Sequence, residues 1–162
     1  MKKISQQELA ANLADQARGE VEDLSDADLF SIAWNGLDLS GTTIAMSLLR
    51  NANFSAAQAL HGCTWIGNKV ESCTFEPVPI SKAEVLDCRF EECTMHAMRL
   101  FRVDLSGTTF SSCRFVNVDF SEAVALRVRF ENCSFSDTRL TRDFLFTGTA
   151  DFKFSAEGRL EK

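Results

Sequence analysis

The sequence has 162 residues, 45% of them apolar, and a formal net charge of −6. This length and composition suffice for one domain with a buried core, so extensive disorder is excluded. The negative charge excludes a strongly basic nucleic-acid binder and argues against direct binding of nucleic acid. With no secretory signal pattern and no apolar stretch of about 18 residues, we expect a cytoplasmic protein without a membrane span.

The first element predicted along the chain is a short helix. Ser5 and Glu8 are spaced as a capping box, in which two side chains satisfy orphan backbone amides at the start of a helix. The helix is expected to end near Gly19. We expect residues 1–20 to form a helical cap, since the open end of a β-structure exposes apolar core and unpaired strand edge. The apolar side of this helix carries Leu9, Leu13 and Ala17.

Downstream, apolar residues recur with a period of five, which neither the helical period of 3.6 nor the strand period of two produces. A first run is followed by a second run that is one residue out of phase. The extra residue lies within 55–59 and is expected to form a bulge or a small corner loop. The first run is Leu24, Leu29, Trp34, Leu39, Ile44, Leu49 and Phe54, and the second begins Leu60, Trp65, Val70 and Phe75 and continues to Leu145.

A second regularity lies two residues before each of these central residues, where small side chains occur. Residues two apart in an extended chain point to the same side, so the small residue faces inward beside the large one. A buried cysteine in a cytoplasmic protein behaves as a small hydrophobe, and this spacing does not turn two thiols toward one ion. We therefore predict no metal, no cofactor and six structural core cysteines: Cys63, Cys73, Cys88, Cys93, Cys113 and Cys133.

The repeated unit consists of a small residue, Asp or Asn, Leu or Phe, and two polar residues, and it resembles the pentapeptide-repeat family. Matching units begin at Ala27, Ala52, Val103 and Val118. The resemblance implies an all-β fold, a right-handed quadrilateral β-helix (a pentapeptide-repeat solenoid) in which four pentapeptides make a square coil of about 20 residues. We expect about six coils over residues 21–150, a short N-terminal capping α-helix, and a C-terminal capping strand or tail over 151–162.

Coils of this length stack central residues in four columns, one for each wall of the rod. Each wall is named after one central residue. The Phe75 wall holds Phe75, Met95, Phe115 and Phe135; the Ile80 wall holds Ile80, Leu100, Phe120 and Leu140; the Val85 wall holds Trp65, Val85, Leu105, Ala125 and Leu145; the Phe90 wall holds Phe90, Phe110 and Phe130.

Outward basic residues of the Ile80 wall form a candidate partner-binding surface, which would suit an acidic partner. Asp119 and Glu122 interrupt this surface at one coil, so the charges alternatively form ion pairs along the stack. The candidate residues are Lys82, Arg99, Arg102, Arg139 and Arg142.

Outward apolar residues of the Val85 wall form a candidate patch for self-association. Exposed apolar patches usually mark interfaces, and a homodimer through one wall would be isologous. Alternatively, the tail bearing Phe152 and Phe154 folds back over the patch. The candidate residues are Leu86, Val124, Leu126, Phe144 and Phe146.

No combination of residues points to catalysis, and we predict that the chain is not an enzyme. The only histidines, His61 and His96, each follow a central residue and are expected to lie exposed on different walls. A β-helix without long insertions offers no pocket for a nucleophile and its base.

The leading hypothesis for function is a non-catalytic interaction module, a rigid rod that binds a protein partner through a charged or apolar wall. One alternative follows from the resemblance, since some pentapeptide-repeat proteins mimic DNA and inhibit or protect DNA gyrase. The modest net charge, the basic wall and the short rod weigh against it. A further alternative from the same resemblance is a secreted bacterial effector, and in either case we expect a bacterial source.

Overall fold

The chain folds into a right-handed quadrilateral β-helix of about six coils, as predicted. The structure is a computed structural model that describes residues 1–15, 24–34, 36–55, 57, 59–140, 145–150, 153–154 and 160–161. Helix α1 spans Gln6–Asp15, and the strands are β1 (Lys2–Lys3), β2 (Ala27–Phe30), β3 (Thr43–Ala45), β4 (Leu48–Arg50), β5 (Thr64–Ile66), β6 (Lys69–Glu71), β7 (Thr74–Phe75), β8 (Ile80–Ser81), β9 (Glu84–Leu86), β10 (Arg89–Glu91), β11 (Thr94–His96), β12 (Leu100–Phe101), β13 (Thr109–Ser111), β14 (Arg114–Val116), β15 (Val124–Glu131), β16 (Ser134–Ser136), β17 (Leu145–Ala150), β18 (Lys153–Phe154) and β19 (Leu160–Glu161).

Strands of successive coils pair in parallel and build the four walls. The Phe90 wall is an eight-stranded sheet in the order β1-β2-β4-β6-β10-β13-β15-β17, and the Phe75 wall has the order β16-β14-β11-β7. The Val85 wall contains β3-β5-β9 and the Ile80 wall contains β12-β8, while β18 and β19 form an antiparallel pair. Parallel pairing puts equivalent residues of successive repeats side by side, which converts the sequence period into columns.

Aromatic rings of successive coils stack inside two of the walls. On the Phe75 wall the ring centroid of Phe54 lies 4.8 Å from that of Trp34 and 4.6 Å from that of Phe75. On the Phe90 wall the centroids of Phe90 and Phe110 are 5.0 Å apart. These distances match the spacing between paired strands, and each stacked pair contributes about 0.5–1.5 kcal/mol beyond area burial.

The chain turns its corners at the second residue after a central residue, where φ is positive. The angle is 52° at Lys82, 52° at Asp87 and 53° at Arg102. This left-handed conformation costs a residue with a Cβ roughly 1–2 kcal/mol, so the surrounding coil must impose it. Pro77 departs from the pattern because its ring fixes a negative φ.

The extra residue lies within the predicted segment. Ala33 pairs with Asn53, 20 residues along, whereas Asp38 pairs with Ala59, 21 residues along. Phe54 and Leu60 on either side are both buried. One corner therefore absorbs the insertion, and both runs keep their central residues inside.

Helix α1 begins with the predicted capping box. The backbone N–H of Ser5 donates to the Glu8 carboxylate at 2.9 Å, and the Ser5 hydroxyl accepts from the Glu8 N–H at 3.2 Å. Leu9 is fully buried in the core cluster that continues into the first coil. The Gln6 amide makes hydrogen bonds of 2.7 and 2.9 Å with the backbone of Ala33, which ties the helix to that coil.

The chain before α1 contributes a strand that the sequence pattern did not predict. β1 pairs in parallel with β2, with Lys2 opposite Ala27, and so covers the free edge of the Phe90 wall. Leu13 is buried, whereas Ala17 and Gly19 lie outside the described residues. No helix within the described ranges is long and apolar enough to cross a membrane.

The last coil departs from the predicted column on the Val85 wall. The register pairs Val124 with Leu145 and Ala125 with Phe146, so the prediction that Leu145 continues the inward column is wrong by one residue. The self-association role predicted for Phe146 stays a prediction, because its side chain lies outside the described part of the chain.

A bulge in β15 ends this shift. Beyond Arg127, Val128 pairs with Gly148 and the offset returns to that of the preceding coils. A Cβ on Gly148 would lie 1.8 Å from the Val128 carbonyl oxygen. The two strands approach so closely here that glycine is required.

Candidate functional site

The Ile80 wall holds the basic residues predicted to bind a partner. Arg99 and Arg139 occupy outward positions of one column, with Asp119 between them in register. Lys82 and Arg102 occupy successive corners shared with the Val85 wall. All four basic residues are exposed, and the fifth candidate, Arg142, lies outside the described residues.

Two of these arginines share one aromatic ring, and Arg99, Phe101 and Arg102 are called the Phe101 cluster below. The Cζ of Arg99 lies 5.6 Å from the Phe101 ring centroid, and the Cζ of Arg102 lies 5.0 Å from it. The Nε of Arg102 also lies 3.5 Å from the Glu122 carboxylate. Cation–π contacts of this kind contribute about 0.5–1 kcal/mol at exposed sites and restrict both guanidinium groups.

Phe101 was absent from the predicted site. Its position directly after a central residue is occupied by a small polar residue in the neighbouring coils, by Ser81 and Ser121. A large aromatic residue flanked by two arginines at such a position is the signal that could have revealed the cluster.

The same outward column contains a serine–histidine pair one coil away. The Ser81 hydroxyl lies 2.9 Å from Nδ1 of His61. His61 is exposed on an open wall, whereas nucleophilic catalysis needs an oriented pair inside a cleft. His96 lies on the Phe75 wall, so the two histidines do not meet. Within the described ranges, no group of three or more His, Cys, Asp or Glu residues is placed to hold a metal ion.

The Val85 wall divides the predicted apolar patch. Leu86, Val124 and Leu126 are half-buried. Ser106 lies between Leu86 and Leu126 in the stack, where its hydroxyl accepts from the Leu126 N–H at 3.4 Å, and Asp104 lies between Glu84 and Val124. The predicted patch is therefore not continuous in the described residues. Phe144 and the side chain of Phe146 lie outside the described part of the chain.

Two exposed apolar side chains of the Val85 wall were missed. Met46 is 67% exposed and Ile66 is 39% exposed. Ile66 is in register with Ala45 on one side and Leu86 on the other. These residues lie in early coils, whereas the sequence pattern drew attention to apolar residues late in the chain.

Ion pairs cover the Phe90 wall. Lys69 Nζ lies 2.5 Å from Glu71 and 3.5 Å from Glu91, and Arg89 Nε lies 2.5 Å from Glu91. The hydrogen bond from Arg89 and the charge of Lys69 lower the pKa of Glu91. Acidic and basic residues thus neutralise one another along this wall.

All six cysteines are free thiols, and five of them are buried. Burial raises the pKa of Cys63 to about 12 and that of Cys88 to about 11. The Cys73 thiol lies 3.3 Å from the Glu71 carbonyl oxygen, and equivalent contacts recur in the coils above. Because Cys63 and Cys88 are kept protonated inside the core, these two thiols are poor nucleophiles and poor metal ligands.

Comparisons with known proteins give the following likenesses. Residues 99–137 match the family model described as pentapeptide repeats, in eight copies. No curated protein matches the chain. Similar solved structures include trypsin-treated QnrB1, a plasmid-mediated fluoroquinolone resistance protein, at 18% identity and a TM-score of 0.43, with 76% of this chain and 67% of that chain covered.

Two similar structures come from cyanobacteria. Rfr23, a pentapeptide repeat protein of Cyanothece 51142, is 9% identical with a TM-score of 0.23 and coverage of 86% of this chain and 99% of that chain. HetL, a pentapeptide repeat protein of Nostoc sp. strain PCC 7120 involved in heterocyst differentiation regulation, is 12% identical with a TM-score of 0.22 and coverage of 80% and 93%. The matched repeats share the five-residue period of the described coils, so this segment of the chain is similar to pentapeptide repeats.

Proposed function

We propose that this protein is a non-catalytic interaction module that binds an acidic surface of another protein through the Phe101 cluster. The observation that carries the proposal is the placement of two guanidinium groups over one ring on an exposed wall. Guanidinium groups pair with carboxylates through charge-assisted, often bidentate hydrogen bonds. Because the ring already restricts both arginines, less side-chain freedom is lost on binding.

A protein is better supported than a nucleic acid as the partner. Asp119 lies in register between Arg99 and Arg139, and Glu122 touches Arg102. The basic charges therefore do not form a continuous track for a phosphate backbone. Clustered arginine and aromatic side chains are instead typical of hot spots in protein interfaces.

DNA mimicry is supported less well than partner binding through the Phe101 cluster. A mimic needs an uncompensated series of negative charges, whereas Lys69 and Arg89 lie among the carboxylates of the Phe90 wall. We expect neither inhibition nor protection of DNA gyrase in a supercoiling assay, and either effect would favour mimicry.

The proposal is tested by affinity capture from bacterial lysate with charge-reversal variants. We expect wild type to retain an acidic protein and Arg99→Glu/Arg102→Glu to lose it, because two attractive contacts become repulsive. The matched control is Arg114→Glu/Arg129→Glu, which reverses exposed arginines on the Phe75 and Phe90 walls. Equal capture by both double variants, or no capture by wild type, would refute the proposal.

A further inference from the structure

The Val85 wall is bordered by two columns of corner residues. The leading edge is shared with the Ile80 wall and the trailing edge with the Phe90 wall. From the coil of Ile44 upward, the leading edge holds Gly41, Gly62, Lys82, Arg102 and Glu122, and the trailing edge holds Met46, Gly67, Asp87, Gly107 and Arg127. One coil below, the trailing edge begins at Asp26.

On both edges, corner residues donate backbone hydrogen bonds to the next coil. On the leading edge, the Gly41 N–H donates to the His61 carbonyl at 2.9 Å and the Lys82 N–H donates to the Phe101 carbonyl at 3.0 Å. On the trailing edge, the Met46 N–H donates to the Ile66 carbonyl at 2.9 Å. Corner residues of one coil therefore lie at nearly the same height on the two sides of the wall.

The two edges complement each other within a coil. Lys82 faces across the wall from Asp87 in one coil, and Glu122 faces across from Arg127 in another; all four are exposed. In the coil of Ile44 the corner residue Met46 lies across the wall from Gly41, and its Sδ lies over Gly67 of the next coil, 2.7 Å from where a Cβ of that residue would stand. Opposite charges thus recur from edge to edge in two coils.

We propose that a second copy of this chain docks in parallel on the Val85 wall, about a two-fold axis that runs along the rod. Rotation about this axis places the leading edge of one copy against the trailing edge of the other at the same coil. Lys82 then meets Asp87 of the second copy, and Glu122 meets its Arg127. Every contact occurs twice, as an isologous interface requires.

The charges select this parallel arrangement over the antiparallel one. A two-fold axis perpendicular to the rod would place each edge against its own counterpart. The adjacent cations Lys82 and Arg102 would then face the same two cations of the second copy, and juxtaposed like charges oppose association. Apolar residues at the centre, Ile66 and Leu126 among them, would be covered in the parallel dimer.

The area of the Val85 wall sets the expected affinity of the proposed dimer. Five coils at about 4.8 Å make a surface roughly 24 Å tall, and three extended residues make it roughly 10 Å wide. This flat area of about 240 Å² per copy, roughly 480 Å² in total, lies below the range of stable specific interfaces, so we expect transient dimers with a dissociation constant of about 0.1–1 mM. This inference goes beyond the proposed function because it uses a different wall, which shares with the Phe101 cluster only the corner residue Arg102.

The test is sedimentation equilibrium of the full chain from about 10 μM to about 2 mM, with two single variants. Lys82→Glu places Glu against Asp87 of the second copy, and Asp87→Lys places Lys against Lys82 of the second copy. Each variant alone is expected to self-associate at least about tenfold more weakly than wild type. An equimolar mixture is expected to recover dimers, because both edge contacts then join opposite charges.

The control is Glu92→Lys, which reverses an exposed corner charge with the same backbone conformation, φ 53°, away from the Val85 wall. It is expected to associate like wild type, and circular dichroism and thermal melting verify that each variant is folded. A monomeric wild type would overturn the proposal. Dimerisation that the single variants do not weaken, or that mixing does not restore, would overturn it as well.

Discussion

Small inward side chains lie beside most central residues, and the thiols of Cys63 and Cys88 at such positions have raised pKa values. Their pKa values are raised from 9.0 to about 12 and about 11, in both cases because burial penalises the thiolate. The thiol form is therefore linked to the folded state. Its contribution to stability is complete below the unfolded pKa and is lost as the pH rises toward the folded values.

We expect the free energy of unfolding to fall as the pH rises above about 9, by about 1.4 kcal/mol per pH unit for each thiol. Cys63→Ala/Cys88→Ala is expected to reduce this slope by about 3 kcal/mol per pH unit between pH 9 and 11, measured by urea unfolding. Alanine already occupies the same inward position at Ala83 and Ala123. The control Ser136→Ala should keep the wild-type slope; an unchanged slope in the double variant would contradict the linkage.

At the scale of elements, the four walls leave an apolar cavity between them. It has a volume of about 40 Å³ and lies in the middle coils, where its lining includes a residue of each wall: Phe75, Ile80, Val85 and Phe90. The indole Nε1 of Trp65 is buried without a hydrogen-bond partner among the described residues. An apolar cavity of this kind stays dry, so its walls lose packing contacts without gaining hydration.

Val85→Ile is expected to stabilise the protein by roughly 1 kcal/mol, since one added methylene fills part of the cavity. The matched control is Val118→Ile at a buried position that does not line the cavity, where overpacking is expected to destabilise. Guanidinium unfolding midpoints compare the two. A loss of stability in both variants would show that the cavity does not accept the methylene.

The five-residue period predicted most of these elements because each central column depends on local spacing alone. Phe75, Phe90 and Phe110 lie where the period places them. Leu145 does not, because it pairs with Val124 one residue out of step with the preceding coils, and the register returns only at Gly148, where a close approach between coils is not revealed by spacing.

Asn68 shows a second kind of residue that the pattern could not predict. It is buried at a small inward position, where its side chain accepts from the Ser47 N–H at 2.9 Å and donates to the Ile44 carbonyl at 2.6 Å. The candidate surfaces were predicted only in part, and the reason is the same. Charges at Arg99 and Arg102 are evident in the sequence, whereas their convergence on Phe101 requires the corner geometry.

At the scale of the whole molecule, each coil contacts only its neighbours, so stability is distributed along one dimension. The first coil is covered by α1 through Leu9, whereas Phe110 lies in a middle coil between two stacked rings. A destabilising substitution at the cap should therefore promote unfolding only of the coils near that end. A destabilising substitution in a middle coil should promote unfolding of the coils on both sides of it.

Leu9→Ala is expected to cost about 2–5 kcal/mol and to accelerate amide hydrogen exchange in the first coils while leaving β10 and β13 protected. Phe110→Ala is expected to cost about 3–5 kcal/mol and to accelerate exchange on both sides of its own coil. Exchange measured by mass spectrometry distinguishes these outcomes. Uniform acceleration by Leu9→Ala would indicate that the rod unfolds as a single unit.

The parallel register of the coils also fixes the spacing of outward side chains along the rod. Outward side chains on any wall stand at multiples of the strand spacing, about 4.8 Å, and the stacked core prevents them from adjusting that interval. A partner surface that contacts two or more coils must carry its binding groups at a matching spacing. The rod then selects a partner by the distance between its binding groups as well as by their charge. Inserting one whole coil between two contacts would abolish binding without altering any contacting residue.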